Sequence, residues 1–216
     1  STGHMILVDQ FLHLAGSKKF IDTFLVVIQF GSILAVLILY FNKLNPFSSR
    51  KSPKAKKATW NLWIKVLIAV LPSGIIGVLF EDQIDRIFFR PSVVAGALII
   101  YGIIMIWIEN RHRKPGITKF SQVSYKTALL IGLFQCLALV PGTSRSGSTI
   151  IGATLLGTSR FIAAEFSFFL AIPTMLGASL LKLLKAGFAF TGFEWFIMFV
   201  GSLVAFIVSV IVIKFF

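Results

Sequence analysis

Five stretches of the chain, 23–41, 60–80, 92–108, 161–181 and 194–213, are almost wholly apolar, with polar or glycine-rich joints between them. Each is close to the ~20 residues a helix needs to cross the hydrocarbon core of a bilayer, so each predicts a membrane span. Pro72 and Pro173 fall inside two of them, and Pro72 predicts a kink, because a proline within a helix loses one backbone hydrogen bond. Residues 127–140 are equally apolar but stop at Pro141-Gly142. A helix of that length reaches only ~21 Å against a core of ~30 Å. Residues 147–159, rich in Gly and Thr, predict a second short helix. Together 127–159 read as a re-entrant pair whose turn lies in 141–149. Non-helical backbone at that depth is stable only where protein or a wet cavity surrounds it.

Composition agrees with this pattern. Of 216 residues 56% are hydrophobic and 13% charged, whereas a soluble domain carries ~25% charged residues. The expected class is an all-α integral membrane protein, a polytopic helical bundle forming a single transmembrane domain over 1–216. The net charge of +13 would suggest nucleic acid in a soluble protein. Here the basic residues concentrate in two loops, 42–59 and 110–126, separated by two spans. They place both loops on the cytoplasmic side and suit anionic lipid, not nucleic acid. The lone Cys136 cannot form an internal disulfide, and no Cys/His spacing suggests zinc or haem.

The two halves echo each other. Leu14-Ala15-Gly16-Ser17-Lys18-Lys19-Phe20-Ile21 matches Leu155-Leu156-Gly157-Thr158-Ser159-Arg160-Phe161-Ile162 at an offset of 141. The same offset sets His4 on Arg145, so Ser1–Met5 reads as native sequence and not as a cloning remnant. Three spans between the copies make them opposite in orientation, an inverted-topology repeat with a first copy in 1–109 and a second in 127–216. In such folds broken helices meet near the bilayer midplane, which predicts that His4 and Arg145 converge on one site.

The chemistry concentrates in Pro141-Gly142-Thr143-Ser144-Arg145-Ser146-Gly147-Ser148-Thr149. An unpaired arginine at membrane depth costs from ~3 to over 10 kcal/mol, so Arg145 either binds an anion or is held by Glu165 or a backbone carbonyl. Its planar fork suits phosphate oxygens. The neighbouring hydroxyls and the free amides at the start of the following helix add donors. His4 has the chemistry of a nucleophile, a general acid or a general base, and Ser1 and Ser144 are alternative nucleophiles. Glu165, a carboxylate near the start of a span, suits a supporting role. Glycines 147, 152 and 157 suit close helix packing, within one chain or in a homodimer.

These nine residues resemble the Pro-Gly-x-Ser-Arg-Ser-x-x-Thr signature of the bacterial undecaprenyl-diphosphate phosphatase family. Phe134-Gln135-Cys136 before them, Ala164-Glu165-Phe166-Ser167-Phe168 after them and Ser1-Thr2-Gly3-His4 also resemble it. The resemblance implies a phosphatase of the bacterial inner membrane that converts undecaprenyl diphosphate, a polyprenyl diphosphate lipid, to the monophosphate. That reaction recycles the carrier for peptidoglycan, and its loss is associated with bacitracin sensitivity. It implies that His4 and Ser1 act in the reaction while Gly142, Ser144, Arg145, Ser146 and Thr149 hold substrate. It also implies a divalent cation, Mg2+ or Ca2+, whose glutamate-rich ligand segment would precede Ser1, and truncation at both ends. No metal ligand is identifiable within the chain. The alternative reading is a polyprenyl-phosphate flippase or another small inverted-repeat transporter, since such carriers share broken helices.

Overall fold

The computed structural model describes residues 16–88, 90–110 and 114–215. Ser1 and His4 lie outside the described residues, as does the start of the first repeat copy. All regular elements among the described residues are helical. Five helical stretches are long and apolar enough to cross a membrane: Lys18–Leu39, Pro53–Phe80, Ser92–Glu109, Arg160–Ala186 and Gly192–Phe215. The chain is a multi-pass helical membrane protein.

Its residues cluster into two compact units whose limits fall inside two long helices, after Thr59 and after Leu170. In the unit built from the chain's two ends, Ser17 starts α1 (Lys18–Val27) by accepting from Phe20 N at 3.1 Å. After a joint at Ile28, α2 (Gln29–Leu39) completes the first span. A short turn, α3 (Phe41–Leu44), follows. The last span, α9 (Gly192–Phe215), opens on a reciprocal cap. Thr191 N donates to Glu194 Oε2 at 2.7 Å, and Glu194 N donates to Thr191 Oγ1 at 3.2 Å. This arrangement satisfies donors that a helix start otherwise leaves open. The hydroxyls of Ser209 and Ser32 join α9 to α2 at 2.9 Å. Phe20, fully buried, packs at 5.9 Å from Phe24 and edge-on to Phe190 at 6.3 Å.

The middle unit holds 60–170. Its elements are the body of α4 (Pro53–Phe88), α5 (Pro91–Glu109), α6 (Tyr125–Cys136), α7 (Arg145–Leu155) and the first half of α8 (Arg160–Ala186). Its core is Val66, Ile131, Phe166, Phe169 and Leu170. The Phe120 ring covers it at 6.4 Å from Phe166 and 5.7 Å from Phe169. Lys65, only 5% exposed, donates to the Phe120 carbonyl at 3.1 Å and lies 5.9 Å from the centre of the Tyr125 ring. The buried amine thereby ties α4 to the 114–124 segment.

Two boundaries differ from the hydropathy pattern. Residues 42–59 are not a continuous loop: Phe41–Leu44 is helical, and α4 already begins at Pro53. Ser52 caps that start by accepting from Ala55 N at 3.3 Å. Proline suits the first helical turn and lysine is a good helix former, so the helix runs on through charged residues that hydropathy assigns to a loop. At its other end α4 continues to Phe88, beyond the 60–80 run read from hydropathy.

Candidate active site

Ser124 starts α6 by accepting from Thr127 N at 3.0 Å. The helix tightens to a 3-10 turn over Leu137–Leu139 and then stops. Pro141 has no N–H to continue it, and Gly142 takes φ +91°, a conformation that L side chains rarely adopt. A Cβ on Gly142 would lie 2.6 Å from the carbonyl oxygen of Val94 on α5. Turn and close approach both require glycine here. The chain then folds back, and Gly152 of α7 meets the Phe134 ring of α6. This is the short helix pair expected over 127–159, with α7 starting at Arg145, two residues earlier than its pattern suggests.

The earlier start comes from Ser144. Its extended backbone (φ −69°, ψ 120°) and its Oγ, which accepts from Gly147 N at 3.1 Å, make it the N-cap of α7. Because Oγ accepts that bond, its own proton remains to be donated. Ser146 Oγ stands 3.3 Å away. The amides of Arg145 and Ser146 belong to the first turn, which has no carbonyl partners inside the helix. Ser144, Arg145 and Ser146 are all half-buried at this helix start. They supply a guanidinium, two hydroxyls and the positive end of a helix dipole, a set that suits an anion.

Arg145 is steadied by α8. Its Nη1 donates to the Ser167 carbonyl at 3.5 Å, a long contact that uses one of five donors. Of the partners considered for Arg145, a backbone carbonyl is thus the one observed. Thr149 sits one turn further into α7 and is 1% exposed. Its Oγ1 lies 3.2 Å from the Arg145 carbonyl, 3.0 Å from the Ser146 carbonyl and 2.7 Å from Ser167 Oγ. That hydroxyl is committed within the protein and braces the helix start from below. Ser148, fully buried, returns its hydroxyl to the Ser144 carbonyl at 3.0 Å. Glu165 is 4% exposed on α8. Two residues along a helix turn about 200°, so Glu165 and Ser167 point from different faces.

The structure therefore groups Ser144, Arg145 and Ser146, puts Thr149 behind them and uses Gly142 for the turn. Ser167 is the addition. Its sequence signals were its place in the Ala164–Phe168 stretch that carries the resemblance and a hydroxyl in the apolar run Phe166–Leu170, which is common in membrane helices. Among the described residues no three His, Cys, Asp or Glu side chains come together to hold a metal.

Fold and site define a polytopic helical membrane protein with a guanidinium and two hydroxyls gathered at a helix start among apolar elements. The family model "Bacitracin resistance protein BacA" matches residues 1–216, and the chain belongs to that family. It is 73% identical over 216 residues to "Undecaprenyl-diphosphatase 1" of Clostridioides difficile (strain 630), covering all of this chain and 79% of that protein. It is 56% identical over 217 residues to the "Undecaprenyl-diphosphatase" of Lachnoclostridium phytofermentans, with 100% and 79% covered. The same identity holds over 217 residues with that of Acetivibrio thermocellus, with 100% and 80% covered.

Proposed function

We propose that this protein is an integral-membrane phosphatase that hydrolyses undecaprenyl diphosphate to undecaprenyl phosphate and inorganic phosphate. The single observation that carries the site assignment is Arg145, held at the N-terminus of α7 with most of its donors uncommitted among the described residues. The match to undecaprenyl-diphosphatases over the whole of this chain and 79% of their length supports the substrate class.

In this reading the diphosphate lies against Arg145, the Ser144 and Ser146 hydroxyls and the first amides of α7. A nucleophile attacks the terminal phosphorus, the phosphorus–oxygen bond of the anhydride breaks, and the lipid monophosphate leaves. Arg145 and the amides stabilise charge that builds on the phosphoryl oxygens and the leaving oxygen, which is the main service such a transfer needs. The nucleophile is His4, Ser1 or a water that His4 activates, three options carried by the family resemblance. The divalent cation is likewise proposed from that resemblance. The setting is the bacterial inner membrane, where the product lipid re-enters cell-wall synthesis.

The test is phosphate release from undecaprenyl diphosphate by the purified protein. Arg145→Ala should lower kcat/KM by ~10²–10³, the scale seen when a donor to a developing oxyanion is removed. Turnover of Arg145→Ala near that of the parent would overturn the assignment. Movement of labelled lipid phosphate across vesicles without hydrolysis would favour a flippase instead.

A further inference from the structure

We infer a second anion site at the other end of α7, one that takes the phosphate of an anionic membrane lipid. A cavity of about 930 Å³ opens in the middle unit between the end of α5, the 114–118 segment, the C-terminus of α7 and the start of α8. Its size is within the ~300–1,000 Å³ of small-molecule sites. It lies one helix length from Arg145, since the eleven residues of α7 span ~16 Å.

The backbone around this cavity is built firmly. α7 ends at Gly157, whose φ of +88° suits glycine. Gly157 N donates to the Thr154 carbonyl at 3.0 Å and Thr158 N to the Ala153 carbonyl at 3.1 Å, the paired bonds that close a helix C-terminus. Ile117 then pairs with this corner. Its N donates to the Gly157 carbonyl at 3.0 Å and its carbonyl accepts from Ser159 N at 2.8 Å. Ser159 caps α8 by accepting from Ile162 N at 3.3 Å. The start of this 27-residue helix, at Arg160 and Phe161, therefore belongs to the cavity wall.

Three features give the ligand its chemistry. Arg160, Lys114 and Glu109 line the cavity with one net positive charge. Glu109 orients Arg160 through a 2.7 Å ion pair, and its carbonyl accepts a second bond from the same guanidinium at 3.4 Å. Thr158 also lines the cavity and is 4% exposed, and its Oγ1 has no hydrogen-bond partner among the described residues. Such a buried, unpaired hydroxyl is a cost that native proteins rarely carry without a ligand or solvent to relieve it. The rim is apolar: Met105, Leu155 and Phe161 line it and are 42%, 40% and 65% exposed. Met105 and Phe161 sit on helices that span the membrane, so acyl chains reach the opening while the basic groups stand at the span ends, where headgroups lie. A soluble anion would use the charges but leave the apolar rim bare.

The test uses the full chain, purified in a zwitterionic detergent, with phosphatidylglycerol or phosphatidylcholine added and bound lipid counted by native mass spectrometry. One phosphatidylglycerol should be retained under conditions that strip phosphatidylcholine. Arg160→Gln with Lys114→Gln should weaken that retention by roughly tenfold, whereas Arg145→Ala should leave it intact. Thr158→Val should reduce the thermal stabilisation that phosphatidylglycerol confers, without lowering the midpoint of the lipid-free protein. Equal retention in the double variant and the parent would sink the proposal. So would equal loss on Lys54→Gln with Lys56→Gln, which would mark general basic attraction. Glycerol phosphate that stabilises as well as the lipid does would overturn the lipid assignment.

Discussion

Thr149 Oγ1 and Ser167 Oγ lie 2.7 Å apart, both buried, and join α7 to α8 directly behind the Arg145 guanidinium. The Ser167 carbonyl meets Arg145 Nη1 at 3.5 Å. One residue therefore touches both Thr149, which braces the helix start, and the Arg145 guanidinium. In the proposed reading Ser167 acts through Arg145 and Thr149 as a positioning residue. Ser167→Ala should lower kcat about tenfold, on the scale of a mispositioned group, with little change in KM or thermal midpoint, and Ser167→Thr should restore most of it. A lower midpoint with unchanged kcat would mean a structural role only.

Arg145→Lys separates charge from geometry. Lysine keeps the positive charge but has no planar fork to hold two oxygens at once. Phosphate release should fall between that of the parent and that of Arg145→Ala. A lysine variant as active as the parent would show that charge alone suffices.

Ser144 caps α7 and in the proposed reading faces the diphosphate, and two substitutions distinguish these roles. Ser144→Ala removes the cap and should cost ~1 kcal/mol of stability. Ser144→Asp keeps a good cap and a favourable charge at a helix start, so the fold should lose less. The carboxylate should nonetheless repel the diphosphate and reduce phosphate release more than alanine does. Thermal midpoints and turnover, measured on both variants, should rank in opposite orders.

Gly142→Ala should be the most damaging small change in the turn. It places a Cβ 2.6 Å from the Val94 carbonyl oxygen on a backbone at φ +91°. The strained backbone alone costs of order 1–3 kcal/mol, and the clash adds to it. The denaturation midpoint in detergent should fall by several degrees. An unchanged midpoint would show that the turn relaxes without cost.

Lys65→Met keeps the length of the side chain and removes its charge-assisted bond to the Phe120 carbonyl, a loss of ~1.5–3 kcal/mol. Hydrogen exchange over residues 117–124 should rise, while exchange in α9 should not. Uniform exchange across the chain would rule out a local tie.

The spans were legible because hydropathy is a local property: each apolar run of suitable length becomes a helix whatever it later packs against. The short pair was legible for the same reason, since 127–140 is too short to cross and Pro141-Gly142 ends it. Ser144, Arg145 and Ser146 stood out because charge and hydroxyls conflict with an apolar setting. Helix ends were less clear. Lysines extend α4 as readily as they form a loop, and only capping by Ser52 decides between them. His4 and Ser1 lie outside the described residues, so the convergence expected of His4 and Arg145 stays with the sequence argument.

By itself, then, the sequence determined that this is a helical membrane protein, where its spans lie and that an arginine and its hydroxyl neighbours interrupt an apolar setting at Arg145. Tertiary structure alone decided what holds Arg145 in place. The Ser167 carbonyl, the hydroxyl pair with Thr149 and the Val94 carbonyl against Gly142 come from segments distant along the chain. No periodicity encodes them, because they depend on the rotation of each helix against its neighbour. A serine within an apolar run reads the same whether it faces lipid or braces a site, and packing makes that choice.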